Sequence, residues 1–247
     1  MKINRLLMTA IFSFVGVLAV AQSWMMQPQG PVNEFSAMEG TSVLNYNFQV
    51  ERNIHSRAGN GPVFYIFPDC KLDNNQALEL AGNLDLVNII KEYGGRIMVV
   101  NPSSDKWQEQ DLEDFRRLIG MGSSPTNVKV IGIGSGATFV NRQLVATELA
   151  GVIAGIVSID GEPGKICRLP VPAFIGGKNA AKAAKPYQTT SDSAPADPLQ
   201  KVVVNTDKKA SLETLFAEAW DKVLSANYRY NNLYRTFYMS RGIDNPE

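Results

Sequence analysis

The residues best placed to do chemistry lie in the run Val128-Lys129-Val130-Ile131-Gly132-Ile133-Gly134-Ser135-Gly136-Ala137, where an apolar stretch passes through small residues directly into a helical pattern. Such a turn serves two chemistries. It can present a serine hydroxyl on a strained strand-to-helix corner for attack on an acyl carbon, or let a backbone approach a pyrophosphate at a helix N-terminus. Gly132, Gly134 and Ala137 meet the dinucleotide spacing G-x-G-x-x-G/A, and Asp160 ends the following apolar run, where a ribose-binding carboxylate belongs. Glycines so spaced also permit plain close packing of strand on helix. Nucleophilic chemistry needs a general base, and the chain holds 1 histidine, His55, ahead of the first buried strand. A single histidine, with no C-x-x-C spacing around Cys70 and Cys167, implies no metal site; outside the dinucleotide reading no cofactor is expected.

These residues need elements to hold them. The chain has 247 residues, 45% of them hydrophobic, with 24 basic against 24 acidic side chains, which suits one globular domain and gives no field for nucleic acid. Residues 1–21 carry Lys2 and Arg5, an apolar run and Ala19-Val20-Ala21, the pattern of a secretory signal cleaved before Gln22. The protein is therefore expected to be secreted or periplasmic, with no stable membrane span once the signal is removed. In that oxidising compartment Cys70 and Cys167, each placed just beyond a strand end, are candidates for one disulfide.

Residues 22–61 read as an extended leading segment followed by an alternating strand, SVLNYNFQV, expected to edge the sheet. Doubly buried strands are predicted at Val63–Phe67, Ile97–Val100, Val128–Ile133, Gly155–Ile159, Pro172–Ile175 and Val202–Val204. Between them the apolar spacing predicts helices over Gln76–Tyr93, Asp111–Ile119, from the small-residue turn through Leu149, briefly near Asn179, and over Leu212–Ala226, with a polar loop at Gln188–Pro198. This alternation predicts an α/β architecture, a mostly parallel, doubly wound sheet over residues 62–226 whose ligands approach the carboxyl ends of the strands. Residues 227–247 form an aromatic C-terminal segment in which Tyr228, Tyr230, Tyr234, Phe237 and Tyr238 interleave with Arg229 and Arg235; packing onto the domain is favoured over a stacking surface for a polymer.

The successive blocks FYIFPDC, RIMVVNPSSDKW, KVIGIGSGATFVN, VPAFIGGKN and PLQKVVV resemble the α/β-hydrolase superfamily across residues 62–226. More narrowly, AWDKVLSANYRYNN is similar to the close of the domain in secreted polyhydroxybutyrate-depolymerase-like esterases. The resemblance implies a nucleophile elbow, an acid after the next-to-last strand and a histidine after the last. In the G-x-S-x-G frame Gly132 and Gly136 are the flanking glycines and the nucleophile slot falls on Gly134; Ser135 comes one residue late. A shifted frame makes Ser135 the nucleophile and Gly136 the oxyanion amide, at the expense of crowding at Ile133.

The acid position carries Asn179, whose amide cannot supply a carboxylate's charge, leaving Asp160 as a substitute. No histidine follows the last strand, so His55 would have to serve out of chain order. Pro68-Asp69-Cys70-Lys71 lacks the His-Gly-Gly sequence that presents an oxyanion amide. The favoured expectation is a hydrolase scaffold with a degenerate triad that binds a small ester, a polymer or a neighbouring protein domain. An active esterase using Ser135, with His55 or a partner's base, and a dinucleotide-binding protein are the alternatives.

Overall fold

The computed structural model describes residues 33–47, 62–121, 127–193 and 201–225. The leader, His55 and the aromatic C-terminal segment lie outside the described residues. Among the described residues eight strands make one sheet: β1 (Glu34–Ala37), β2 (Val43–Asn47), β3 (Val63–Phe67), β4 (Arg96–Val100), β5 (Val128–Ile133), β6 (Ile153–Ile159), β7 (Ala173–Gly176) and β8 (Val202–Asn205), in the spatial order β1-β2-β4-β3-β5-β6-β7-β8. Strand β2 runs antiparallel to both neighbours, β1 and β4; every other pairing is parallel. This is the mostly parallel sheet that the alternation of apolar runs predicts.

Both faces are covered, which explains why the central strands are apolar without alternation. Along β3, Tyr65 and Phe67 enter one core with Phe115, Val130 and Phe139. Phe64 and Ile66 enter the other with Ala77, Ala81, Ile131 and Phe216. Helices α1 (Asn74–Asn83), α2 (Leu86–Tyr93), α3 (Glu109–Met121), α4 (Ser135–Phe139), α5 (Ala180–Ala183), α6 (Lys185–Asp192) and α7 (Leu212–Ala219) supply the layers. Helix α4 widens into a π turn at Val140–Leu144 and α7 into another at Trp220–Leu224. Among the described residues no helix is long and apolar enough to cross a membrane.

Four expectations need correction. Strand β2 does not edge the sheet, because Glu34–Ala37 pairs outside it from Glu34↔Asn47 to Ala37↔Leu44. The helix predicted over Gln76–Tyr93 is two helices, since Asp85 takes a left-handed backbone (φ 54°), with the Leu84 N–H donating back to the Leu80 carbonyl and the Asp85 N–H to the Gly82 carbonyl. The loop predicted from Gln188 is helical as far as Asp192, with Pro186 in the first turn of α6, where its missing N–H is tolerated. Cys70 and Cys167 are both free: Cys70 is exposed after β3, whereas Cys167 is buried between β6 and β7 and donates to the Leu169 carbonyl at 3.1 Å. Strand β5 stands between the two segments in the sheet.

Candidate functional site

The carboxyl ends of β5, β6 and β7 bring Ser135, Asp160 and Asn179 to one rim of the sheet. The β5-to-α4 turn is the strained element. Gly134 has φ 56° and ψ −116°, a backbone that side-chain-bearing residues rarely adopt, and donates its N–H to the Ile159 carbonyl at 2.9 Å. Gly134 therefore occupies the corner of an elbow, and Ser135 is the first residue of the helix that leaves it. Gly132 and Gly136 let the surrounding backbone close up: a Cβ on Gly132 would stand 2.6 Å from the Ala137 Cα.

The space where a side chain at Gly134 would project is filled by Asp69. A Cβ there would lie 2.5 Å from the Asp69 carboxyl carbon. Asp69 Oδ1 accepts the Ser135 backbone N–H at 2.6 Å, and the Ser135 hydroxyl donates to the Asp69 carbonyl. In an elbow, the amide after the corner residue is the one that meets a developing oxyanion. Here that amide already faces an anion from the same chain. Gly136, the oxyanion candidate of the shifted frame, is buried with its Cα directed at the Phe67 and Pro68 carbonyls.

The loop carrying Asp69 is held from three sides. Buried Asn101 grips Leu72 twice, accepting its N–H and donating to its carbonyl, each at 2.9 Å. Trp107 donates to the Pro68 carbonyl at 3.2 Å while stacking on Phe139 with centroids 4.7 Å apart. Asp73 caps α1 through the N–H groups of Asn75 and Gln76, and Gln76 returns the bond to Asp73. Asp69 is thus presented to the elbow by a braced loop.

The other candidates have their own partners. Asp160, in a left-handed conformation (φ 58°), accepts the Lys178 N–H at 2.9 Å and so ties the end of β6 to the end of β7. Asn179 donates to Glu162 Oε1 at 2.9 Å. After β8, where a histidine would follow by the resemblance, Asn205 donates to Glu218 at 2.5 Å and accepts the Asp207 N–H at 2.8 Å, closing the turn on itself. Asp69 is the contributor that sequence reasoning missed. Its segment stood out as a departure from an oxyanion loop, but nothing in the residue order shows which backbone amide its carboxylate meets.

Gly134→Ala is expected to destabilise by about 2–3 kcal/mol, most of it backbone strain, because Asp69 can swing away from the new methyl. Asp69→Ala in the same chain should recover only the smaller, steric part. Urea unfolding of the two single variants and the double variant measures the split; full recovery would show that the corner is unstrained.

No family model matches the chain, and no curated protein matches it. Solved structures do. An esterase/lipase from an uncultured bacterium is 11% identical with a TM-score of 0.48, covering 86% of this chain and 86% of its own. A phospholipase/carboxylesterase from Dyadobacter fermentans is 13% identical with a TM-score of 0.47, covering 74% and 96% respectively. A Xanthomonas campestris protein described as an α/β serine hydrolase without a lid is 13% identical with a TM-score of 0.41, covering 90% and 99%. The α/β-hydrolase fold itself rests on the sheet order and on the elbow after β5.

Proposed function

We propose that this chain is an exported α/β-hydrolase-fold domain with a degenerate catalytic triad, a binding or scaffolding module of an ester- or polyester-processing system. Residues 1–21 direct export, residues 62–226 form the module, and the strand-end rim receives a small ester, a polymer or a neighbouring domain. The observation that carries this reading is the elbow: Gly134 holds the nucleophile's place without a side chain, and the Asp69 carboxylate takes both that space and the Ser135 amide. An ester entering there would meet a fixed negative charge where its own carbonyl oxygen must become negative, the reverse of transition-state stabilisation. Serine without a base is also a weak nucleophile at neutral pH.

The second reading is a serine esterase using Ser135. What favours it is that Ser135 is exposed beside the corner and that its hydroxyl bonds, among the described residues, to the Asp69 carbonyl of the loop that would have to move. Purified mature protein assayed with short-chain acyl esters and a serine-directed phosphonate separates the two. The expected result is neither turnover nor label. Turnover lost in Ser135→Ala would establish the esterase reading, and its further loss in His55→Ala would identify the base.

A further inference from the structure

Lys129 sets a buried amine beneath the last described turn of the chain. It lies near the amino end of β5, away from the rim, with Phe64 of β3 and Gly155 of β6 as its register partners. Its cover is the π turn Trp220–Leu224: the Leu224 carbonyl accepts from Nζ, and the centre of the Trp220 ring lies 6.0 Å away. Among the described residues no carboxylate forms an ion pair with it. Of the charged groups on the cover, Asp221 is exposed and Lys222 bonds Glu218 at 2.6 Å. Tyr93, at the end of α2, is exposed beside Trp220 with ring centroids 5.8 Å apart. Side chains seat the cover on the sheet. Trp220 packs on Phe64 with centroids 6.1 Å apart, and Leu224 fills the space at Gly155, where an added Cβ would stand 2.9 Å from its Cδ2.

We propose that the turn Trp220–Leu224 is a proton-sensitive strap: protonation of Lys129 favours a state in which this turn lifts while the strands stay paired, exposing Trp220, Val223 and Leu224. A charge sealed away from water without a counter-ion is costly, and water can reach it in two ways. Parting β5 from β3 or β6 breaks ladder hydrogen bonds on a central strand. Lifting the turn gives up the Leu224 bond and the seating of Trp220 and Leu224, but no strand pairing. The smaller opening is therefore the one that answers the proton. Its sign follows from the two states. With the strap closed, burial pushes the amine down from 10.5 to about 7, whereas an open, hydrated lysine keeps its ordinary value. Opening takes up a proton, so its population rises about tenfold for each unit that pH falls between those limits and levels off below about pH 7.

Thiol labelling separates this local opening from unfolding of the domain. Val223→Cys puts a thiol at a position the closed turn buries, native Cys167 is buried in the other core, and Cys70 is exposed throughout. Mature protein carrying the substitution is treated with N-ethylmaleimide between about pH 7.5 and 9, each site is followed by peptide mass spectrometry, and rates are divided by that of free cysteine at the same pH. The introduced thiol should label at least about tenfold faster than Cys167, and its normalised rate should rise about tenfold per unit of falling pH. Adding Lys129→Met should abolish that pH dependence. Labelling at the Cys167 rate would show that only the whole domain opens; a pH-independent rate, or an unchanged slope in Lys129→Met, would remove Lys129 as the sensor. Each overturns the proposal. If Val223→Cys does not fold, amide exchange in the unsubstituted protein, with Trp220–Ser225 compared against β5 at the same pH values, decides by the same criteria.

Discussion

Gly136→Ala is expected to remove about 4 kcal/mol or more of stability, a large share of the roughly 5–15 kcal/mol that a folded protein holds. The added Cβ would stand 2.5 Å from both the Phe67 carbonyl carbon and the Pro68 carbonyl oxygen, with the Phe67 oxygen closer still. These are backbone atoms at the end of β3, a strand paired on one side to β4 and on the other to β5. Neither partner can swing aside as a side-chain tip would, so the methyl must separate α4 from the sheet or expel the Asp69 loop from the elbow. Gly82→Ala is the matched control: a Cβ there meets nothing within 4 Å inside α1, and the same change should stabilise by about 0.5–1 kcal/mol. Opposite shifts in the urea midpoint are the expected result. A wild-type midpoint for Gly136→Ala would mean that strand and helix approach less closely than the geometry requires.

Lys129 should govern the pH dependence of stability between neutral pH and about pH 9. Its side chain is 2% exposed on central strand β5; Nζ donates to the Leu224 carbonyl and lies 6.0 Å from the centre of the Trp220 ring. Burial pushes the ammonium down from 10.5 to about 7. Unfolded protein therefore takes up the proton first as pH falls from 10.5, and each unit down to about 7 favours unfolding, to a total on the order of 5 kcal/mol. Above that window both forms are neutral, and below it both are charged.

Lys129→Met should flatten this slope. At pH 7 its net gain should be smaller than the full figure, because the Leu224 carbonyl loses its donor, a loss of about 1–3 kcal/mol. Buried Tyr65, Tyr187 and Cys167, all pushed up by burial, act in the opposite sense: each favours the folded state while protonated and loses that effect as pH rises through the unfolded value. Subtracting the variant's profile from the wild type's cancels them. A flat difference between pH 7 and 9 would show that Lys129 keeps its charge solvated.

What was legible in the sequence follows from burial. Val63–Phe67, Ile97–Val100 and Val128–Ile133 read as strands because a sheet covered on both faces demands apolar residues at every position. Strand β1 was not legible: Glu-Phe-Ser-Ala owes its strand state to β2 beside it, a tertiary pairing that leaves little local signal. The break at Asp85 was hidden because the apolar spacing runs on through Leu84 and Leu86, and the nearby glycine, Gly82, lies inside α1 rather than at the break. At the site, the positive φ of Gly134 was foreseeable from three spaced glycines, since a corner that admits no Cβ constrains residue type directly. The engagement of Asp69 with an amide 66 positions later was not, because a carboxylate's partner depends on where two loops meet.

The strand order also bears on how the molecule assembles. Strand β3 lies between β4 and β5, and its register with β5 begins at Val63↔Val128, so its second edge stays open until a segment far along the chain arrives. From β5 onward each new strand joins beside its predecessor, through β6 and β7 to β8. The back half can therefore zip up by successive short closures, whereas the front half needs two long ones, β2 onto β4 from Val43↔Val100 and β5 onto β3 from Val63↔Val128, whose entropy must be met before those pairings reward it. The insertion of β5, the strand that also ends in the elbow, is then expected to be a slow step, and the rim of the sheet to form together with its centre.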